Sequence, residues 1–236
     1  MWTRAELKQN AKELLKPNYL RFYFISLAFA VLSGDLASSF TGNSKYGFHF
    51  NVNLNGEEFI PSWLMPVGAI GGVLAIVLTI LYFAFVEGPL EISVARFYLS
   101  GLKGKPDFNT LEHGFSRDYY KNNVKAMFLS KLYIFLWSLL FIIPGIIKSY
   151  EYYFVSYILA DDPNLTPEDA MAVSSNLTHG HKFSIFILDL SFLGWYFLGM
   201  LCFGVGLTFV LPYVQATKTF LYLRLKYLGL SDERNF

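Results

Sequence analysis

The chain has 236 residues, of which 54% are hydrophobic and 16% are charged, and its net charge is +1 at pH 7. Soluble domains average about 45–50% apolar and about 25% charged residues, so this composition argues against a water-soluble globule and indicates an integral membrane protein. The near-neutral charge balance gives no indication of a nucleic-acid partner. The single cysteine, Cys202, excludes an intrachain disulfide and a multi-cysteine metal cluster.

The first 18 residues are typical of an amphipathic helix. Thr3 and Glu6 have the spacing of a capping box. One face of the helix is apolar and consists of Leu7, Ala11, Leu14 and Leu15. A basic ridge at four-residue steps consists of Arg4, Lys8, Lys12 and Lys16. The pattern predicts a helix over 1–18 that lies on an anionic inner leaflet; the alternative is a flank that only orients the first span.

Long apolar stretches follow, each close to or above the ~20 residues that a helix needs to cross a ~30 Å hydrocarbon core. Four of them occupy residues 19–37, 63–86, 126–143 and 183–210. Two shorter, aromatic-rich stretches, 146–160 and 213–230, follow Pro144-Gly145 and Pro212. Residues 146–160 and 213–230 are short for spans on their own, so the number of spans depends on where the chain turns.

We expect the chain to reverse direction at two places. A turn at Pro144-Gly145 separates 126–143 from 146–160, and a break near Gly204 and Gly206 divides the last stretch into 183–203 and 207–227. The predicted fold class is therefore all-α, a polytopic transmembrane helix bundle of six spans in a single integral membrane domain, 1–236. Because glycine and proline also occur as kinks within membrane helices, four long kinked spans are the alternative.

Basic residues indicate the orientation, because cytoplasmic loops are enriched in Lys and Arg. The N-terminal segment, the loop 101–125 and the C-terminal end are basic, whereas the loop 41–62 holds a single lysine, Lys45. We therefore expect a multi-pass protein of the cytoplasmic (plasma) membrane with both termini inside. The loops 101–125 and 161–182 are then cytoplasmic, and the loop 41–62 is extracytoplasmic.

Both cytoplasmic loops carry signals for short helices. Asp107 is a candidate cap in the first loop, and Gly114 is a candidate helix end. In the second loop, Thr166 precedes a proline and two acidic residues, which is the composition of a helix start. Gly180 then predicts the end of a helix over 167–179.

A set of short motifs resembles one family. The motifs are WSLL at 137–140, IPGIIKSY at 143–150, YILADDP at 157–163, GHK at 180–182, LSFLGW at 190–195 and LPY at 211–213. Together they resemble the bacterial integral membrane family catalogued as domain of unknown function 975. The resemblance covers nearly the whole chain and is strongest over residues 122–222. It implies a multi-span helical membrane protein and assigns no activity.

Ionisable residues inside predicted spans are candidate functional residues, because placing a charge in the bilayer costs at least ~2.5–3.5 kcal/mol. The candidates are Asp189, Lys218, Lys148 and Glu151. Asp189 and Lys218 fall at similar depths in the last two spans, where a pair would join the helices or bind a solute or proton. Lys148 and Glu151 lie on one helical face, either as an ion pair or, at the start of a half-helix, as part of an anion site.

A second group of polar residues falls at the predicted inner rim. Its members are Glu87, Glu91, Arg96 and His181. Glu87 and Glu91 are one turn apart at what is expected to be a solvated helix end, and their like charges repel. One of the two carboxylates is therefore expected to face Arg96 or Lys131. His179 and His181 match no zinc motif and are read as interface anchors. No metal, cofactor or catalytic residue is predicted.

Two functions fit these features. The first is a non-enzymatic membrane protein that acts in the cell envelope through contacts with anionic inner-leaflet lipids, a membrane protein partner or a second copy of itself. The alternative is a small transporter or permease component, in which the four intramembrane charges form a polar path. A continuous polar cavity that reaches the level of Asp189 and Lys218 favours the transporter, and a dry, closed bundle favours the first function.

Overall fold

Helices account for nearly all of the described chain. The computed structural model describes residues 2–32, 74, 77–102, 104, 106–201 and 205–233, and no β-strand occurs in these ranges. The helices are α1 (Arg4–Leu15), α2 (Tyr19–Leu32), α3 (Val77–Gly101), α4 (Tyr120–Leu140), α5 (Ile142–Glu151), α6 (Val155–Asp161), α7 (Pro167–Thr178), α8 (Lys182–Leu190), α9 (Leu193–Leu201) and α10 (Val205–Glu233). The predicted all-α class is thus confirmed for these residues.

Within the described residues, three helical segments are long and apolar enough to cross a membrane. They are Val77–Gly101, Tyr120–Leu140 and Lys182–Gly199, and the last of these combines α8 with most of α9. The predicted outer loop 41–62 lies outside the described residues, as does most of the predicted stretch 63–86.

The predicted caps are present. The Thr3 hydroxyl accepts a hydrogen bond from the Glu6 N–H at 3.2 Å and starts α1. The Thr166 hydroxyl accepts from the Asp169 N–H at 3.1 Å and starts α7. Gly180 follows this helix with a φ of +73°, a conformation that suits a glycine. In the first loop, Asp107 caps a 3₁₀ turn at Phe108–Phe115, and the long helix α4 begins five residues after that turn.

Helix α3 continues well past the predicted end of its span at residue 86. A π-helical turn at Phe83–Glu87 precedes Pro89, and the chain stays helical to Gly101. Proline has no N–H, so the Phe85 carbonyl four residues earlier lacks its helical donor. The Tyr120 hydroxyl donates to this carbonyl at 2.9 Å instead. Glu87 is consequently 6% exposed inside the bundle rather than solvated at a helix end.

Helices α4 and α5 form an antiparallel hairpin, but the chain turns at Phe141 rather than at Pro144-Gly145. Phe141 is extended, with φ −154° and ψ 145°. Proline is tolerated in the first turn of a helix, so Pro144 lies within α5 and does not end α4. Gly145 then packs directly on Ser138, where a Cβ would approach the serine hydroxyl to 2.1 Å.

The predicted break in the last apolar stretch is confirmed, since α9 ends at Leu201 and α10 begins at Val205. The two helices are antiparallel, because Gly199 contacts Gly206 and the Trp195 ring lies 6.4 Å from the Tyr213 ring, centroid to centroid. This hairpin carries the C-terminal helix α10 back through the centre of the bundle.

Helix α1 packs on protein through its apolar face. Leu7, Ala11 and Leu15 are buried, and α1 runs along α10. The basic ridge is divided by this packing: Arg4, Lys12 and Lys16 are exposed, whereas Lys8 is half-buried. The apolar face of the predicted interfacial helix therefore packs within the protein, and three of the four residues of the basic ridge remain exposed.

Candidate functional site

A small polar chamber lies between α2, α3, α6 and α10. It has a volume of about 190 Å³. Its lining residues are Phe29, Glu87, Glu91, Val94, Ala95, Tyr153, Ser156, Tyr157, Gln215 and Lys218. Since one water molecule occupies about 30 Å³ in the liquid, the chamber has room for a few waters or one small solute.

A break in the helical chain positions Tyr153 at this chamber. Helix α5 ends at Glu151 and α6 begins at Val155, so backbone groups between them lack helical partners. The Ser174 hydroxyl donates to the Glu151 carbonyl at 2.8 Å and accepts from the Phe154 N–H at 3.2 Å. Helix α7, which the sequence predicted within the loop 161–182, thus stabilises the break between α5 and α6 through Ser174.

Asp189 and Lys218 meet through Tyr153. The Tyr153 hydroxyl donates to the Asp189 carboxylate at 2.9 Å, and the Lys218 ammonium lies 4.9 Å from the centroid of the Tyr153 ring. The salt bridges of the described chain do not include an Asp189–Lys218 pair. The expected direct pair is therefore replaced by a tyrosine that contacts both charges.

Two carboxylates approach the chamber from α3. The Glu87 carboxylate pairs with Lys131 at 3.2 Å, one of the two partners expected from sequence. Glu91 is half-buried and lines the chamber together with Lys218. Across the described ranges, neither Glu91 nor Lys218 belongs to a salt bridge. The chamber therefore presents the Glu91 carboxylate and the Lys218 ammonium to a small ion or solute.

Glu151 is held by two lysines beside the chamber. Its carboxylate accepts from Lys148 at 2.8 Å and from Lys182 at 2.9 Å, which joins α5 to α8. The expected Lys148–Glu151 pair is thus present, and Lys182 is a further partner that spacing alone does not indicate. The Lys148 ammonium also lies 5.7 Å from the Trp137 ring centroid and 5.5 Å from the Tyr152 ring centroid. The Glu151 carboxylate thus has two ammonium partners. We call Lys148, Glu151 and Lys182 the Glu151 joint, because they connect α5 to α8.

The remaining rim residues lie near the ends of α6 and α10. Arg96 donates to the Ala160 carbonyl at 2.6 Å. The Asp161 carboxylate pairs with Lys226 and accepts from the Tyr222 hydroxyl at 3.2 Å. His181 lines a neighbouring cavity of about 450 Å³ together with Asp161 and Lys226. The described residues contain no group of three side chains that could hold a metal ion.

Burial would raise the pKa of the Asp161 carboxyl, but Lys226 and Tyr222 outweigh it and hold the pKa below its usual range. Burial lowers the pKa of His113 at the start of the α3–α4 connection, and the Arg96 charge acts in the same direction. At neutral pH this rim therefore carries an ionised aspartate and an uncharged His113.

The family comparison covers the half of the chain that contains most of these contacts. Residues 115–228 match the family model described as protein of unknown function (DUF975). Over these residues, just under half of the chain, the protein is similar to the DUF975 family. The resemblance noted from the sequence motifs is thereby confirmed. No curated protein and no solved structure matches the chain.

Proposed function

We propose that this chain is a multi-pass protein of the cytoplasmic membrane that acts without covalent chemistry, through contacts with lipids and membrane partners. The observation that supports it is an exposed apolar band. At the tip of the α4–α5 hairpin, five consecutive large side chains are between 66% and 77% exposed. They are Leu139, Leu140, Phe141, Ile142 and Ile143. Exposed apolar surface on this scale marks an interaction with membrane or protein.

Six passes fit the chain best. The first pass is assigned to α2, the second to α3, and the third and fourth to the α4–α5–α6 hairpin. The fifth and sixth are α8–α9 and α10, joined by the contact between Gly199 and Gly206. Single helices α5 and α6 are too short to cross alone, and Ser174 supplies the hydrogen bonds that the break between them requires.

A common cytoplasmic end is supported by contacts between distant segments. Arg21 donates to the Pro106 carbonyl at 3.2 Å, which joins the start of α2 to the loop 101–125. Arg224 lies 3.7 Å from the Glu6 carboxylate, which joins the N-terminal helix to the C-terminal helix. Each contact joins a basic segment to a distant part of the chain, which supports the proposed cytoplasmic location of the termini and the loop 101–125.

Extraction and labelling test this assignment. We expect the expressed chain to stay with membranes in alkaline carbonate and to be released by detergent. In a Cys202→Ala background, a membrane-impermeant maleimide should label Asn53→Cys on intact cells, whereas Glu112→Cys should react only after permeabilisation. Release of the chain by carbonate would contradict the membrane assignment, and the opposite labelling pattern would contradict only the orientation.

The chamber favours a second candidate, the passage of a small ion or solute. Glu91 and Lys218 line a polar cavity of about 190 Å³ inside the bundle. We expect proteoliposomes loaded with a pH-sensitive dye to show proton flux under a potassium diffusion potential. Glu91→Gln and Lys218→Met should each reduce this flux at least tenfold, whereas the exposed Glu112→Gln should leave it unchanged. Flux equal to that of empty liposomes would remove proton passage as the function.

A further inference from the structure

We infer that an anionic phospholipid binds in an apolar groove beside the junction of α1 and α2. The groove has a volume of about 680 Å³, within the range of ~300–1,000 Å³ typical of ligand sites. In this arrangement an acyl chain lies along the apolar wall and the phosphate lies between Lys12 and Lys16. The inference rests on the proposed membrane location.

The wall of the groove suits an acyl chain. Its large side chains are Leu15, Tyr19, Trp195, Leu198, Phe209 and Val210. Gly199 and Gly206 form its floor, and because neither carries a side chain, the groove stays deep where α9 and α10 cross. Leu198 and Phe209 are 57% and 53% exposed, so the groove opens to the outside of the bundle.

Two lysines give the groove its charge. Lys12 and Lys16 line one end of it and are exposed. Neither takes part in a salt bridge within the described chain. Two neighbouring ammonium groups at the edge of an apolar groove complement a phosphate that carries an acyl chain.

Lys8, on the same basic ridge, has a different role. Its ammonium donates to the Ser191 carbonyl at 3.5 Å and lies 4.4 Å from the centroid of the Phe192 ring. Burial lowers the pKa of Lys8, and the charges of Arg4 and Lys12 act in the same direction. The ridge is therefore used in two ways: Lys8 fastens α1 to the α8–α9 turn, and Lys12 and Lys16 remain for the lipid.

Native mass spectrometry of the full chain tests the inference. The protein is released from mixed micelles that contain equal amounts of phosphatidylglycerol and phosphatidylcholine with identical acyl chains. We expect one phosphatidylglycerol to be retained, in roughly tenfold preference over phosphatidylcholine. Lys12→Gln with Lys16→Gln should abolish the preference. Leu198→Trp, at an exposed wall position, should lower retention of both lipids by filling the groove.

The matched control is Arg117→Gln with Lys121→Gln, which removes two exposed charges away from the groove and should preserve the preference. Soluble glycerol phosphate should not displace the retained lipid. Equal retention of both lipids, an equal effect of the control variant, or a second copy of the chain in the groove would overturn the inference. The carbonate extraction described above separates this outcome from failure of the membrane assignment itself.

Discussion

Gly206 lies directly against Gly199, so that a Cβ added to Gly206 would be 2.7 Å from the Gly199 Cα. Contacts this close between helices require small residues on both sides. The glycines of the last apolar stretch let α9 and α10 approach each other closely, near the residues where α9 ends and α10 begins.

The first prediction concerns this crossing. Gly206→Leu should force α9 and α10 apart and lower the free energy of unfolding by about 1–3 kcal/mol, as overpacking does elsewhere. Thermal unfolding in detergent measures the effect. Gly194→Leu is the control, because a Cβ at Gly194 meets nothing within 4 Å. Equal loss in both variants would show that the close approach is not the cause.

The second prediction concerns the Glu151 joint. Glu151→Gln removes the carboxylate that separates Lys148 from Lys182, so two ammonium groups are left facing each other. The side chain of Glu151 is 14% exposed, and we expect a loss of about 2 kcal/mol, between the values for buried and surface pairs. Lys125→Gln breaks the exposed pair with Glu168 and should lower the stability much less, because solvent screens that pair. Equal melting temperatures for the two variants would contradict the role of the joint.

The third prediction concerns the break between α5 and α6. Ser174→Ala leaves the Glu151 carbonyl and the Phe154 N–H without the hydroxyl that bonds both of them. Unsatisfied buried polar groups cost about 1–3 kcal/mol, and amide exchange at Phe154 should accelerate accordingly. Ser149→Ala removes only an exposed hydroxyl bonded within its own helix, at 2.7 Å from the Ile146 carbonyl. Exchange at Phe154 that is unchanged in Ser174→Ala would show that the serine does not hold the break.

The fourth prediction concerns pH. The pKa of Asp161 is lower in the folded protein than in the unfolded chain, since Lys226 and Tyr222 stabilise the carboxylate. Its contribution to stability is therefore complete above the ordinary aspartate pKa of about 4 and is lost as the pH falls through the lower folded value. Asp161→Asn should melt below the parent protein at pH 7, and the difference should shrink as the pH approaches 3. A constant difference from pH 7 to pH 3 would contradict this.

Local sequence signals predict a large share of the helical pattern. Thr3, Thr166 and Gly180 mark helix boundaries because the interactions that cap a helix come from residues within one turn of its end. Both predicted hairpins are present, and a glycine lies at the helix contact of each, Gly145 on Ser138 and Gly206 on Gly199. The shift of the first turn to Phe141 reflects the tolerance of a helix for proline near its start.

Long-range contacts account for the features that sequence spacing does not predict. Glu87 is buried because a π-turn and the Tyr120 hydroxyl carry α3 through Pro89, and no residue near Pro89 indicates this. Tyr153 links Asp189 with Lys218 only because α6, α8 and α10 converge. The sequence alone shows that four ionisable residues are unusual within apolar stretches. It does not show that Glu151 pairs with Lys182 or that Asp189 accepts from Tyr153, because these contacts depend on how the helices pack.

The pairing of α1 with α10 bears on how the chain is made. Lys8 bonds to Ser191, 183 residues later, and Glu6 lies beside Arg224 near the end of the chain. Helix α1 is synthesised long before α10, so its apolar face cannot be covered by α10 when it is made. Until α10 has been synthesised, Leu7, Ala11 and Leu15 need a temporary cover from the bilayer surface or an insertion factor.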